Sequence, residues 1–348
     1  MSGITGTTRP AVDVLIADPS VLPPATRVVT GLTASGRPHL GNYLGAILPL
    51  LRLAADPGTH ALVFVADVHA LTVDHAPALL RERTRDLAAT LLACGLGADS
   101  TLFVQSAVPA HAELGGLLLS AVSYGELTRM IQFKVKGDGQ DGVRASLLTY
   151  PALMAADILV HQADAVPVGE DQRQHLELTR TVAQRFNARY GPVFTVPRGI
   201  VPPAAARIRD LRNPAAKMAK STAGTGTVYL TDPPVRLAEA VRRAVTDLDP
   251  DLVYDPDLRP GVANLAEILA ALTGRTPQAA LSGLHGSGAL KAAVTDALVE
   301  TLRPVRDRYA ELIADSAALD AILARGALLA AEHAAPTLTA ARHALGLS

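Results

Sequence analysis

The chain has no tryptophan anywhere in its 348 residues, and Phe, Tyr and Trp together make up only 3% of it. Its single cysteine, Cys94, excludes an intrachain disulfide framework and suggests a reducing compartment, where a small buried apolar residue is its ordinary role. The formal net charge is -1, so a uniformly basic nucleic-acid binder is not indicated, although a local basic patch is compatible with it. No run approaches the ~20 apolar residues that a membrane span needs. The N-terminus lacks a basic region followed by an apolar one, so no signal peptide is expected and a cytoplasmic location is. Neither G-x-G-x-x-G nor G-x-x-x-x-G-K-[ST] occurs, which argues against a dinucleotide fingerprint and a P-loop.

What is present is a hydrophobic fraction of 49%, in a chain long enough for more than one domain. "RVVTG" (27–31) reads as a short β-branched strand, and "NYLGAILPLLRLA" (42–54) has helical periodicity. "HALVFVADVHALT" (60–72) contains an apolar run without alternation, as expected of a strand covered on both faces. A helix over "APALLRERTRDLAATLLACG" should end at Gly95, and "STLFVQS" is the next buried strand. Strands alternating with helices imply an α/β fold with a parallel sheet. "AELGGLLLSAVSYGELTRMIQF" reads as a helical insertion, "GDGQDG" (137–142) as a mobile polar loop, "SLLTYPALMAADILVH" as a largely apolar helix and "AVPVG" as a last short strand. From Pro233 onward the composition is that of Ala- and Leu-rich helices.

Three stretches carry candidate chemistry. In "GLTASGRPHLGNYLGAI" (31–47) a strand ends, a glycine-containing turn follows and a helix begins. That arrangement presents backbone N–H groups and a helix N-terminus to an anion, though a plain tight turn would explain the glycines equally. "KMAKS" (217–221) places two lysines in a Gly/Ala/Thr loop, where their ammonium groups could follow the charge of a departing pyrophosphate or simply be solvated. In "VGEDQRQHLELTR", Gly169 ends a strand and Glu170 and Asp171 open a helix. The carboxylates could suit the helix dipole or accept ribose hydroxyls.

Taken in this order, "HLGN" (39–42), "GED" and "KMAKS" resemble the signatures of a class I aminoacyl-tRNA synthetase. "GNYLGAI", "DVHALT", "VPAHAEL", "GELTRMIQFK", "LLTYPALMAADILV", "VPVGEDQRQHLELTRTVAQRFN", "ARIRDL" and "RPGVANLAEILAALTG" are together similar to bacterial tryptophanyl-tRNA synthetases, from about Val28 to the C-terminus.

The resemblance implies a Rossmann-like parallel sheet domain with a helical insertion, then an all-helical C-terminal domain. The expected boundaries are a flexible extension over 1–26 and a catalytic domain over 27–215, with its insertion at about 108–165. A mobile loop over 216–227 and a helical tRNA-binding part over 228–348 should follow, its last helices packing back on the catalytic domain. It implies activation of L-tryptophan with ATP to tryptophanyl-adenylate and pyrophosphate, then transfer to the 3′ end of tRNA(Trp). By position, Thr33, Ala34, Ser35, Gly41 and Asn42 match ATP contacts. Gly169, Glu170 and Asp171 match the adenosine side, with Ile208 near the adenine. Lys217, Met218, Ala219, Lys220 and Ser221 match the KMSKS loop, and Lys136 a further lysine on the phosphate tail; Lys136, Lys217 and Lys220 are thus the expected catalytic groups. Mg²⁺ is expected on that tail, held by phosphate oxygens and water rather than by a protein metal site. Tyr150 and Gln172 match the residues that take the α-amino group. His69, Met154, Val166, Val168, Val29 and Gly31 match the walls of the tryptophan pocket. Asp157 matches the carboxylate that receives the indole N–H. An Asp in an apolar helix is costly to bury unless partnered, and a donor-only indole N–H suits it, as would a protein group. The resemblance further implies a homodimer that meets at the insertion, no membrane association, and tRNA contacts from a local basic face around Arg242, Arg243 and "LRPVRDRY".

The chain departs from the family where the turn usually reads Gln-Pro-Ser-Gly and here reads Thr33-Ala34-Ser35-Gly36. Val29 stands where a Phe often lines the pocket, and the loop serine is Ala219. An auxiliary copy tolerant of a tryptophan-mimicking inhibitor is one reading of these changes. A paralogue that activates an amino acid without charging tRNA is the alternative to a ligase, and a regulatory nucleotide-binding module is a third reading.

Overall fold

The computed structural model describes every residue except 1–13, 17–22, 24, 98, 138–141, 170–171, 202–207, 219–225, 248 and 348; for 14–16, 136, 137 and 201 it describes the backbone alone. The chain forms two compact units. Met1–Thr30, Pro109–Pro203 and Ala331–Ser348 make the first, and Gly31–Val108 with Ala204–Ala330 the second.

In chain order the elements are β1 (Val14–Ile16), β2 (Thr26–Thr33), α1 (Leu40–Asn42), a π-helical turn (Tyr43–Ile47), α2 (Leu48–Ala54), β3 (Thr59–Ala66), α3 (Pro77–Ala93) and β4 (Thr101–Val104). Then come α4 (Ala110–Leu118), α5 (Tyr124–Thr128), α6 (Ile131–Gly137), α7 (Ala145–Leu159), β5 (Ala165–Pro167), α8 (Arg173–Tyr190) and β6 (Arg198–Val201). The rest is helical: α9 (Pro234–Arg242), α10 (Pro260–Thr273), α11 (Pro277–Leu281), α12 (Gly286–Ala314) and α13 (Ser316–Ala344).

In the first unit β1, β6 and β5 lie side by side and parallel, with Val14 opposite Gly199 and Val166 opposite Gly199 from the other edge. Val28 of β2 pairs with Ala165 of β5, also parallel. Helices α4 and α8 pack on α7. The end of α13 belongs to this unit. Gln162 Nε2 donates to Thr337 Oγ1 at 3.2 Å, and Arg342 is ion-paired with Glu113.

In the second unit β3 and β4 are parallel, Leu62 opposite Thr101 through Val65 opposite Val104, joined by α3 as a crossover. Leu62, Val63, Phe64 and Val65 are all buried, which explains their lack of alternation. α3 starts with Pro at its first turn and ends before Gly95, whose φ of +102° is the left-handed stop predicted for that glycine. One core runs from Leu40, Ile47, Val63 and Leu102 to Val262, Leu298 and Leu312. Cys94 is partly buried against it, and burial pushes its thiol up to about 12, so it is inert at neutral pH.

Three features differ from the expectations. Within 1–26, expected as a loose extension, Val14–Ile16 is a strand paired with β6. "AVPVG" is not the last strand, because β6 follows it. Both added strands are too short to show a period. The helical run from 40 to 54 is broken by the π-helical turn, where the Leu48 N–H reaches back to the Tyr43 carbonyl. Pro49 has no N–H to give the Gly45 carbonyl, which accounts for the widened turn.

Candidate active site

In the second unit the opening turn is made almost entirely of main chain. The Ser35 N–H donates to the Thr33 carbonyl at 2.8 Å, and Gly36 takes φ +144°. Thr33 and Ser35 are exposed, while Ala34 is buried. His39 then caps α1 in a reciprocal box. The Asn42 N–H donates to His39 Nδ1 at 3.3 Å, and the His39 N–H donates to Asn42 Oδ1 at 3.1 Å. Asn42 is therefore fixed at the helix start by its own side chain. Gly41 lies in a gap that a Cβ would fill, 3.1 Å from the His39 ring and 3.8 Å from Ile208 Cβ. The turn and the expected adenine neighbour are thus brought together. Gly31 is tighter still: an added Cβ would sit 2.3 Å from Phe64 Cζ, because that ring lies over the glycine. His69 is half-buried just after β3.

The same unit holds the stem of the lysine loop. Arg209 and Lys217 form an antiparallel bridge, and the Met218 N–H donates to the Ile208 carbonyl at 3.1 Å. Across the base of the loop, the Leu211 N–H donates to the Gly226 carbonyl at 3.1 Å. Beyond it, the Leu40 N–H donates to the Val228 carbonyl at 2.8 Å, tying "HLGN" to the loop's far end. Asn264, buried in α10, clamps the near end: its Oδ1 accepts from the Arg209 N–H at 2.9 Å and its Nδ2 donates to the Arg209 carbonyl at 3.1 Å. Lys217 is exposed and Met218 buried; Ala219, Lys220 and Ser221 lie outside the described residues.

The first unit is built from buried side chains. Asp157, on the apolar helix α7, is 1% exposed, and His111 Nδ1–H on α4 donates to its Oδ1 at 2.7 Å. His111 Nε2 in turn lies 3.0 Å from Nε2 of His161, which is fully buried. Burial, reinforced by the His111 charge, holds the His161 imidazole down to about 3, so it is neutral at physiological pH. Asp157 thus has a protein partner, and the alternative raised for it is realised for at least one of its oxygens. Two turns earlier on α7, the half-buried Tyr150 hydroxyl is hydrogen-bonded to His175 Nε2 of α8, and burial pushes the phenol's pKa up. Val29, Val166 and Val168 are buried and Met154 is partly so. Gln172 caps α8, its N–H donating to the carbonyl of the exposed Gly169 at 3.0 Å. Glu170 and Asp171 lie outside the described residues, as does the side chain of Lys136 in α6.

The model of the family described as "tRNA synthetases class I (W and Y)" matches residues 24–303. A protein named tryptophan–tRNA ligase 1 from Streptomyces coelicolor is 50% identical over 330 residues, covering 92% of this chain and 97% of that one. The chain belongs to the class I tryptophanyl/tyrosyl-tRNA synthetases. Among solved structures, a tryptophanyl-tRNA synthetase from Mycoplasma pneumoniae matches with TM-score 0.83 and 36% identity, over 93% of this chain and 98% of that one. One from Campylobacter jejuni, complexed with ADP and tryptophan, matches with TM-score 0.81 and 30% identity, over 92% and 100%.

For this class I synthetase, sequence reasoning overlooked the residues that support the site. His111, His161 and Asn264 all fall in stretches quoted for the family resemblance or beside them, yet none had been given a role. A signal existed for His161: it lies four residues after Asp157, the spacing that puts two side chains on one helix face. Nothing in the sequence pairs His111 with Asp157, 46 residues away.

Proposed function

We infer that the chain is a tryptophan–tRNA ligase. The observation that carries this is Asp157: a buried carboxylate, held by an imidazole, on the helix that also presents Tyr150 and Met154. In this reading the carboxylate accepts the indole N–H, Tyr150 and Gln172 take the α-amino group, and His69, Met154, Val166, Val168, Val29 and Gly31 wall the ring. ATP enters as its Mg²⁺ complex, the ion carried on phosphate oxygens. It lies against Thr33, Ala34, Ser35, Gly41 and Asn42, with Gly169, Glu170 and Asp171 on the ribose side and Ile208 by the adenine.

No enzyme nucleophile is needed. The tryptophan carboxylate attacks the α-phosphorus in line, the bond to the bridging oxygen breaks, and pyrophosphate leaves. Lys136, Lys217 and Lys220 stabilise the charge that builds on it, with Met218, Ala219 and Ser221 completing the loop. The 3′-terminal ribose hydroxyl of tRNA(Trp) then attacks the acyl carbon and releases AMP.

The helical segment from 228 would handle tRNA. That assignment rests on the relatives rather than on a bare basic face, since Arg243, Arg303 and Arg308 are each paired with a glutamate three or four residues away. A homodimer meeting near α4–α6 is supported by exposed Leu119, Tyr124, Ile131 and Val135. Among the described residues no helix is long and apolar enough to cross a membrane, and we place the protein in the cytoplasm. The departures at Thr33, Ala34, Val29 and Ala219 support an auxiliary copy that tolerates indole-based inhibitors; inhibition equal to that of an ordinary family member would remove that reading.

The test of the main assignment is tryptophan-dependent ATP–pyrophosphate exchange followed by charging of tRNA(Trp). Exchange and charging are both expected. Exchange without charging would instead establish the activating paralogue, and no exchange would leave only a nucleotide-binding module.

A further inference from the structure

Two imidazoles, His111 and His161, are buried with Asp157 and have no part in the chemistry above. Their rings lie 4.9 Å apart at 60°, and the contacts run in a line: Asp157 Oδ1 to His111 Nδ1 at 2.7 Å, His111 Nε2 to His161 Nε2 at 3.0 Å. All three residues are at most 1% exposed. Apolar side chains of similar volume would join α4 to α7 without the cost of removing an ion and two polar rings from water. An array built in spite of that cost is understandable if one member must present a charge in a fixed orientation.

An ionised carboxylate only accepts, so the His111 Nδ1 must donate whichever way the proton between the two imidazoles sits. That bond removes the carboxylate's freedom to rotate about χ2, a broad torsion when unrestrained. It acts at one oxygen of the carboxylate, Oδ1. His161 stands to His111 as a second support stands to a metal-bound imidazole, fixing ring orientation through the far nitrogen. It stays neutral at working pH, so it adds no charge of its own beside the pair.

Resting on the assignment of Asp157 to the indole N–H, we propose that His111 is a positioning residue for substrate choice. It holds the Asp157 carboxylate in the orientation that reads the ring N–H, with His161 holding His111. The discrimination at stake is narrow: tryptophan against an isosteric amino acid whose ring presents no N–H donor.

The experiment compares kcat/KM in ATP–pyrophosphate exchange for tryptophan and for β-(3-benzothienyl)alanine, in which sulfur replaces the ring N–H. His111→Leu should lower the ratio of the two by roughly 10- to 100-fold, the range for a hydrogen bond to a charged group. The loss should appear in KM for tryptophan, with KM for ATP unchanged. His111→Asn keeps a donor near the Nδ1 position and should recover most of the ratio. A merely structural role would depress both substrates alike, and that result, or an unchanged ratio, overturns the proposal. If His111→Leu does not fold, His111→Gln carries the same test, because its longer amide cannot donate from the same place. Asp157→Asn separates the proposal from the reading it rests on. An unaltered ratio there refutes the Asp157 assignment itself; a collapsed ratio there, with an intact one in His111→Leu, refutes only the role of His111.

Discussion

The Thr33–Asn42 turn and the Asp157 cluster are built from different parts of the chain, the one from backbone and the other from side chains. The turn offers backbone: a tight Ser35–Thr33 bond, a capped helix start, and glycines whose missing Cβ leaves room at His39 and Phe64. Main-chain N–H groups suit a polyphosphate, whose charge is large and whose shape is shared by every nucleotide. The cluster offers side chains, buried in a line from Asp157 to His161. A single carboxylate in a dry setting suits an aromatic amino acid that differs from its competitors by one donor, because a site whose buried acceptor loses its partner rejects the wrong ring strongly. What binds generically can be made of backbone; what must choose needs a costly group held still.

That contrast can be stressed by acid. His161 is held near 3, below its ordinary 6.5, so its stabilising contribution is complete above about 6.5 and is lost as pH falls from there towards 3. Glu126, held at about 2 chiefly by its bond to Arg185, contributes above its ordinary 4.5 and loses that contribution below it. Both lie in the first unit. Between pH 7 and 4 we expect a loss on the order of a few kcal/mol, borne by α7 rather than α3 in pH-dependent hydrogen exchange. His161→Gln should flatten that dependence. Earlier opening of α3 would break the contrast.

A smaller effect is expected from the glycines of the second unit. Gly31→Val forces Phe64 aside and should cost about 1–3 kcal/mol in urea unfolding, as overpacking does, while Gly45→Ala meets nothing within 4 Å and should be neutral or stabilising. Equal penalties at the two sites would mean that Phe64 yields freely. Smaller again, Asn264→Ala strands the N–H and carbonyl of Arg209 and should cost about 1–2 kcal/mol, with a fall in kcat larger than any change in KM for tryptophan. A rise in KM for tryptophan instead would show that the loop stem and the amino-acid side are coupled.

The sheet was legible because strands such as 61–66 are apolar without a break, and α3 because Pro77 and Gly95 mark its ends. Strands β1 and β6 escaped because three or four residues carry no period; their partners across the sheet define them. The backbone-built side of the site was legible for a related reason: glycine spacing and the lysine loop are local in sequence. Asp157 could be singled out by the cost of burying it, but its support could not. His111 comes from another helix, and an imidazole in an apolar setting looks the same whether it packs or positions. Asn264 was hidden likewise, since its bonds go to the backbone of a residue 55 positions away.

The first unit's division into three stretches bears on the order in which the protein is made. A ribosome that has reached Ala330 has produced every residue of the second unit, but not the segment that brings Thr337 to Gln162 and Arg342 to Glu113. The unit that carries the Thr33–Asn42 turn is therefore complete in sequence while the one that carries Asp157 still lacks a stretch. Synthesis thus completes the turn's unit before the cluster's, and the unit of Asp157 receives its closing segment from the end of α13.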